Sequence, residues 1–139
     1  MSESLPDERL KVLCVEDEAV IALDLQHAIN SSPDMRCVGW LPKADKLAAE
    51  VLAKPPDVLL LDLSMPGRDP LEVLSEVLAE HPALLSIVCS GYADKELITK
   101  ALEAGAKEYV QKNGSVKDIL DCVRRVAHRR VPTESGPSQ

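Results

Sequence analysis

Three carboxylates, a hydroxyl and an amine each stand at the end of a short apolar run, and together they could handle a phosphate. Glu16 and Asp17 follow Lys11–Val15, Asp62 closes the run that begins at Val58, Ser90 follows Leu84–Cys89, and Lys112 follows Glu108–Gln111. Carboxylates crowded into one place repel one another unless a cation sits among them, and an all-oxygen ligand set favours magnesium or calcium over zinc. Mg2+ suits such a site better, because it takes a couple of carboxylates and leaves positions for water and phosphate oxygens. Lys112 would then supply a point positive charge, and Ser90 a hydroxyl donor, to the same oxygens. An aspartate in this setting can accept a phosphoryl group as an acyl phosphate.

These residues converge only if their strands end on one edge. The run Val58-Leu59-Leu60-Leu61, bounded by Pro55-Pro56 and Pro66-Gly67, reads as a strand buried on both faces of a parallel sheet. Lys11–Val15, Met35–Gly39, Leu84–Cys89 and Glu108–Gln111 read as the other strands. Helical spacing appears between them. Ala19–Asn30 carries Ile21, Leu25, Ala28 and Ile29; Pro42–Ala53 carries Ala44, Leu47, Ala48, Val51 and Leu52. A third helix starts at Asp69-Pro70-Leu71-Glu72, with Asp69 as cap, Pro70 in the first turn and Glu72 placed to reach back. Leu71, Leu74 and Leu78 form its apolar face. Asp94–Ala104 ends at Gly105, and the last helix is capped at Ser115-Val116-Lys117-Asp118 and carries Ile119, Cys122, Val123 and Val126.

Five strands alternating with five helices imply an α/β fold, a doubly wound five-stranded parallel sheet with every strand ending on the same edge. In the order 2-1-3-4-5, the first and third strands are neighbours at the switch point, which brings Asp17 close to Asp62.

The chain has 139 residues, enough for one ordinary domain, expected over 11–130 between a disordered N-terminus (1–10) and a disordered tail or linker (131–139). A hydrophobic share of 45% with no Phe requires a core of Leu, Val, Ile and Ala. The net charge of -7 argues against direct nucleic acid binding and against acidic partners. No apolar run reaches membrane-spanning length and the N-terminus lacks an apolar leader, so a soluble, cytoplasmic protein without membrane contact is expected. Cys14, Cys37, Cys89 and Cys122 lie far apart without a C-x-x-C pair and read as buried reduced thiols. Trp40, closing the second strand, reads as a partly exposed anchor. Arg124, Arg125, Arg129 and Arg130 read as complementing the dipole of the last helix, with a docking surface for an acidic partner as the minor alternative.

The chain resembles the receiver domains of two-component response regulators. The resemblance rests on Val15-Glu16-Asp17-Glu18, the stretch Leu60 to Gly67 around Asp62, Val88-Cys89-Ser90-Gly91, Ala104-Gly105-Ala106 and Glu108-Tyr109-Val110-Gln111-Lys112. Spacing and the Pro33-Asp34-Met35 region place it nearest the branch whose receivers precede a helix-turn-helix domain. The resemblance implies a flavodoxin-like receiver fold and a phosphoryl group taken onto Asp62 from a sensor histidine kinase or phosphotransfer protein. It implies that Glu16, Asp17, Asp62 and the backbone carbonyl of Ser64 hold Mg2+, and that Ser90 and Lys112 contact the phosphoryl group. It further implies that Ser90 and Tyr109 switch the face made by helix four, strand five and helix five, with Ser64 and Tyr92 tuning phosphoryl lifetime. Plain packing is the alternative for Tyr109.

On this reading the protein is regulatory, catalysing only its own phosphorylation and dephosphorylation, and it acts on a downstream protein or an output domain. Phosphorylation-dependent homodimerisation is compatible with it. Two departures stand out: Asn113 where the family usually has proline, and Pro70 where it usually has glycine after Asp69. A Mg2+-dependent phosphatase with an aspartyl nucleophile is the enzymatic alternative, but that class carries a second aspartate two residues later, where this chain has Ser64. A phosphorylation-independent interaction module is the third alternative.

Overall fold

The structure, a computed structural model, describes residues 8–91, 94–112 and 115–130, without the Arg130 side chain. Tyr92, Asn113, the segment 1–7 and the tail from 131 lie outside the described residues. Strands β1 (Leu10–Val15), β2 (Met35–Leu41), β3 (Val58–Asp62), β4 (Leu85–Ser90) and β5 (Glu108–Gln111) form one parallel sheet in the order β2-β1-β3-β4-β5. Between them run α1 (Ala19–Asn30), α2 (Leu47–Ala53), α3 (Pro70–Glu80), α4 (Lys95–Glu103) and α5 (Val116–Arg130).

All five residues of β3 are buried, which accounts for its unbroken apolar run. Strand alternation then sorts the core into two layers. Val58 and Leu60 pack with Val12, Cys14 and Ile87 beneath Leu25, Ile29, Ile119 and Val123 of α1 and α5. Leu59 and Leu61 pack with Leu13 and Val15 beneath Leu47, Val51, Val73, Leu74 and Val77 of α2 and α3. Burying a leucine fully contributes about 1.5–3 kcal/mol, so the two layers together hold β3 in register. Asp62 is thereby carried to the sheet edge opposite Cys89.

Several boundaries differ from the sequence expectation. β2 continues two residues past Gly39 to Leu41, and β1 begins at Leu10. The second helix opens with a 3-10 turn, Ala44–Lys46, and becomes α-helical only at Leu47. Its buried side is Ala44, Leu47 and Val51, while Ala48 is exposed and Leu52 is 72% exposed, because the tighter turn rotates the face. In α3 the Asp69 carboxylate accepts a hydrogen bond from the Leu71 N–H at 3.1 Å, confirming the cap, but Val73, Leu74 and Val77 are the buried residues. Glu72 does not complete a capping box; its carboxylate lies 3.8 Å from the Arg68 guanidinium. Ser115 and Asp118 cap α5 reciprocally, each side chain accepting the other's backbone N–H at 3.3 Å.

The arginines of α5 do more than complement a dipole. Arg124 pairs with Asp34 at 2.8 Å, and Glu108 at the start of β5 receives Arg129 at 2.8 Å and Arg125 at 3.6 Å. α5 is thus tied to the entrance of β2 and to β5.

Gly105 ends α4 in the left-handed region (φ 112°), and a Cβ there would collide with Leu78 of α3. Gly105→Ala is therefore expected to destabilise the fold by about 1–3 kcal/mol in urea unfolding, by strain and overpacking together.

Candidate functional site

Four strand ends deliver the polar residues. Glu16 follows β1 and is 2% exposed; Asp62 closes β3 at 2% and Ser90 closes β4 at 0%. Lys112 follows β5, its backbone N–H held by the Ser90 carbonyl at 2.6 Å. The Lys112 ammonium lies 2.9 Å from Glu16 Oε1 and 3.3 Å from Asp62 Oδ1. Asp17 is exposed, yet Glu16, Asp17 and Asp62 each offer a carboxylate oxygen and the three oxygens lie within 4.8 Å of one another. The structure therefore brings together the acid pair, the strand-three aspartate and the lysine, with buried Ser90 beside them on the same edge.

Two backbone donors shape the acids further. The Ser64 N–H bonds Asp62 Oδ1 at 3.3 Å, and the Glu18 N–H bonds Glu16 Oε2 at 3.2 Å. Asp62 Oδ2 is buried and has no hydrogen-bond partner among the described residues. Burial, together with the negative charge of Glu16, raises the Asp62 carboxyl to about 6, and Lys112 offsets this only in part. For Lys112, burial works against the charge, but the hydrogen bond to Glu16 and the charge of Asp62 outweigh it and hold its pKa above the ordinary value. An orphaned buried carboxylate oxygen amid three acids, with oxygen donors only, fits a hard divalent cation.

The loop after Asp62 is fastened from α2's side of the sheet. Gly67 adopts φ 94° where a Cβ would collide with Asp45, whose carboxylate accepts the Arg68 N–H at 3.1 Å. The Arg68 side chain forks onto Glu76 at 2.7 and 3.1 Å. Tyr109 is half-buried, paired with Val88 across β4 and β5 and packed against the α2/α3 layer. A cavity of about 170 Å³ opens beside Glu16 and Lys112, walled by Ile21, Leu25, Cys89 and Ile119 between α1 and α5.

Sequence reasoning missed two features. Trp40 is partly exposed, as expected, but its indole N–H also donates to the Glu16 carbonyl at 2.6 Å. The longer β2 was the hidden signal, since it carries Trp40 alongside Cys14 in register. Nor are the cysteines all isolated and buried. Cys37 is only partly buried, and its thiol donates to the Gly39 carbonyl at 3.3 Å; the neighbouring Cys37 thiol and burial hold the Cys14 thiol well above its ordinary pKa. Burial pushes Cys89 up to about 12, leaving an inert thiol next to the site.

Over residues 12–124 the chain matches the response regulator receiver domain, and it belongs to that family. It is 38% identical over 126 residues to protein-glutamate methylesterase/protein-glutamine glutaminase 1 of Cupriavidus metallidurans, covering 87% of this chain and 35% of that protein. To response regulator protein VraR of Staphylococcus aureus it is 26% identical over 118 residues, 85% of this chain and 56% of VraR. The chain thus spans about a third of the first relative and just over half of the second. The response regulator domain of Thermotoga maritima CheB superimposes with a TM-score of 0.79 at 24% identity, covering 86% of this chain and 97% of that one. A CheY-like receiver domain protein from Methanospirillum hungatei gives 0.81 at 20%, covering 92% and 99%. These structures share the fold.

The raised carboxyl makes a prediction about pH. The unfolded chain releases this proton near pH ~4 and the folded protein near 6, so Asp62 costs stability increasingly across that window and fully above it. In chelating buffer, Asp62→Asn is expected to be more stable than wild type at neutral pH by about 1–3 kcal/mol, the advantage fading toward pH ~4. Urea unfolding across pH checks this, and an advantage that did not change with pH would contradict it.

Proposed function

We propose that this receiver accepts a phosphoryl group on Asp62 from a phosphohistidine of a sensor histidine kinase or phosphotransfer protein, and signals by a change of surface. The observation that carries the reading is Asp62 Oδ2, buried and unpartnered while Oδ1 is held by Lys112 and Ser64. A lone carboxylate oxygen of this kind is free to attack phosphorus. The O–P bond forms as the P–N bond to the donor imidazole breaks, and the imidazole nitrogen keeps the electron pair.

Glu16, Asp17, Asp62 and the backbone carbonyl of Ser64 would hold Mg2+, which when bound supplies positive charge to the phosphoryl oxygens. Lys112 already faces Asp62 and can move its ammonium from a carboxylate to a phosphoryl oxygen. Ser90 would donate its hydroxyl, and its rearrangement together with Tyr109 would change the face of α4, β5 and α5. The acyl phosphate makes contacts in only one of two arrangements and so shifts the population toward it. Ser64 and Tyr92 are assigned to phosphoryl lifetime.

The protein is read as regulatory, catalysing only reactions of its own Asp62. A downstream protein or an output domain carries the response, and a methylesterase output is suggested by the name of one relative. No helix of the described residues is long and apolar enough to cross a membrane, and a cytoplasmic location is proposed.

Incubation with acetyl phosphate and Mg2+ is expected to add one phosphoryl mass to wild type, mapped to the peptide containing Asp62, and none to Asp62→Asn or to wild type in chelator. Undiminished labelling of the mutant at that site would sink the proposal.

A further inference from the structure

Glu16 and Asp17 are adjacent in sequence, so they can share one cation only if the peptide joining them is turned correctly. The carbonyl of that peptide belongs to Glu16, and it accepts the Trp40 indole N–H at 2.6 Å. On the other side of the same residue, the Glu16 N–H donates to the Leu41 carbonyl at 2.9 Å. The last two residues of β2 therefore hold the Glu16 backbone at both ends. With the backbone held, the carboxylate is left to Lys112 at 2.9 Å and to the Glu18 N–H at 3.2 Å. An indole nitrogen can only donate, so this contact has no alternative sense.

We propose that Trp40 is a positioning residue for the cation site: its indole N–H sets the orientation of the Glu16–Asp17 peptide, so that both acids face one Mg2+ before the ion arrives. This rests on the Mg2+ reading given above. Preorganisation of this kind lowers the cost of gathering like charges and shows itself as metal affinity.

Trp40 is the only tryptophan of the chain, so replacing tryptophan with benzothienylalanine in an auxotroph alters one position, keeps the ring shape and removes the N–H. Trp40→Phe is the genetic counterpart. Mn2+ affinity is read by electron paramagnetic resonance without any phosphodonor, and urea unfolding in chelator confirms that each variant is folded. Both variants are expected to bind Mn2+ about tenfold more weakly, the lower end of what losing an outer hydrogen bond to a metal ligand does. A folded benzothienylalanine protein with wild-type affinity overturns the inference, and it decides the matter if the Phe variant does not fold. Wild type that binds no Mn2+ would bring down the cation site and this inference together, whereas binding by wild type and equally by the variants removes only the role of Trp40.

Discussion

Two buried acids face one ammonium, and most of the structure around the sheet edge answers that imbalance. Lys112 divides itself between Glu16 and Asp62, leaving Asp62 Oδ2 without a partner in a place water does not reach freely. An orphaned buried polar atom costs about 1–3 kcal/mol, more when charged. The raised Asp62 carboxyl is the same cost seen in titration, with burial ahead of the charge of Glu16. A cation or a phosphoryl group would relieve it. On the proposed function, the site stores a deficit that its ligands would remove, which is the property a ligand-driven switch requires.

Such a deficit survives only where the scaffold leaves the acids nowhere else to go. β3 is buried on both faces between the two core layers, so Asp62 cannot retreat toward solvent without pulling leucines after it. Lys112 is tethered through its backbone to Ser90, and Glu16 through its backbone to β2. The edge strand β2 thereby takes part in the site through the Trp40 indole and the Leu41 carbonyl, both on the Glu16 backbone.

The connection from site to surface follows the same logic. Glu108 immediately precedes Tyr109 on β5 and holds both Arg125 and Arg129 of α5. On the proposed mechanism, a movement of β5 at Tyr109 is felt by α5 through these pairs. They are solvent-exposed on the arginine side, worth about 0–1 kcal/mol each, so they can be rearranged at small cost.

The α/β class, the five strands and the polar residues at their ends were legible because each rests on a local, periodic or terminal signal, whereas the strand order is not carried by any local signal. Val58–Asp62, short, apolar and bounded by Pro55-Pro56 and Pro66-Gly67, reads as a buried strand, and Glu16, Asp17, Asp62, Ser90 and Lys112 each stand where an apolar run stops. Less legible was whatever depends on a small rotation or a shift of one turn. Ala48 and Leu52 match helical spacing as well as Leu47 and Val51 do, and only the 3-10 turn at Ala44–Lys46 decides which side is buried. Cys14 and Cys37, distant in sequence, meet because β1 and β2 are neighbours with an irregular register between them.

By itself, then, the sequence determined the sheet, its edge and the kinds of group collected there, since hydrophobic periodicity and residue chemistry are properties of the chain alone. Only the tertiary structure decided how those groups share their charges: which oxygen of Asp62 is left unpaired, where Lys112 divides its bonds, and that the Trp40 indole bonds the carbonyl between the two acids. Those outcomes depend on distances of a few tenths of an ångström and on the direction of single hydrogen bonds, and no spacing along the chain encodes them.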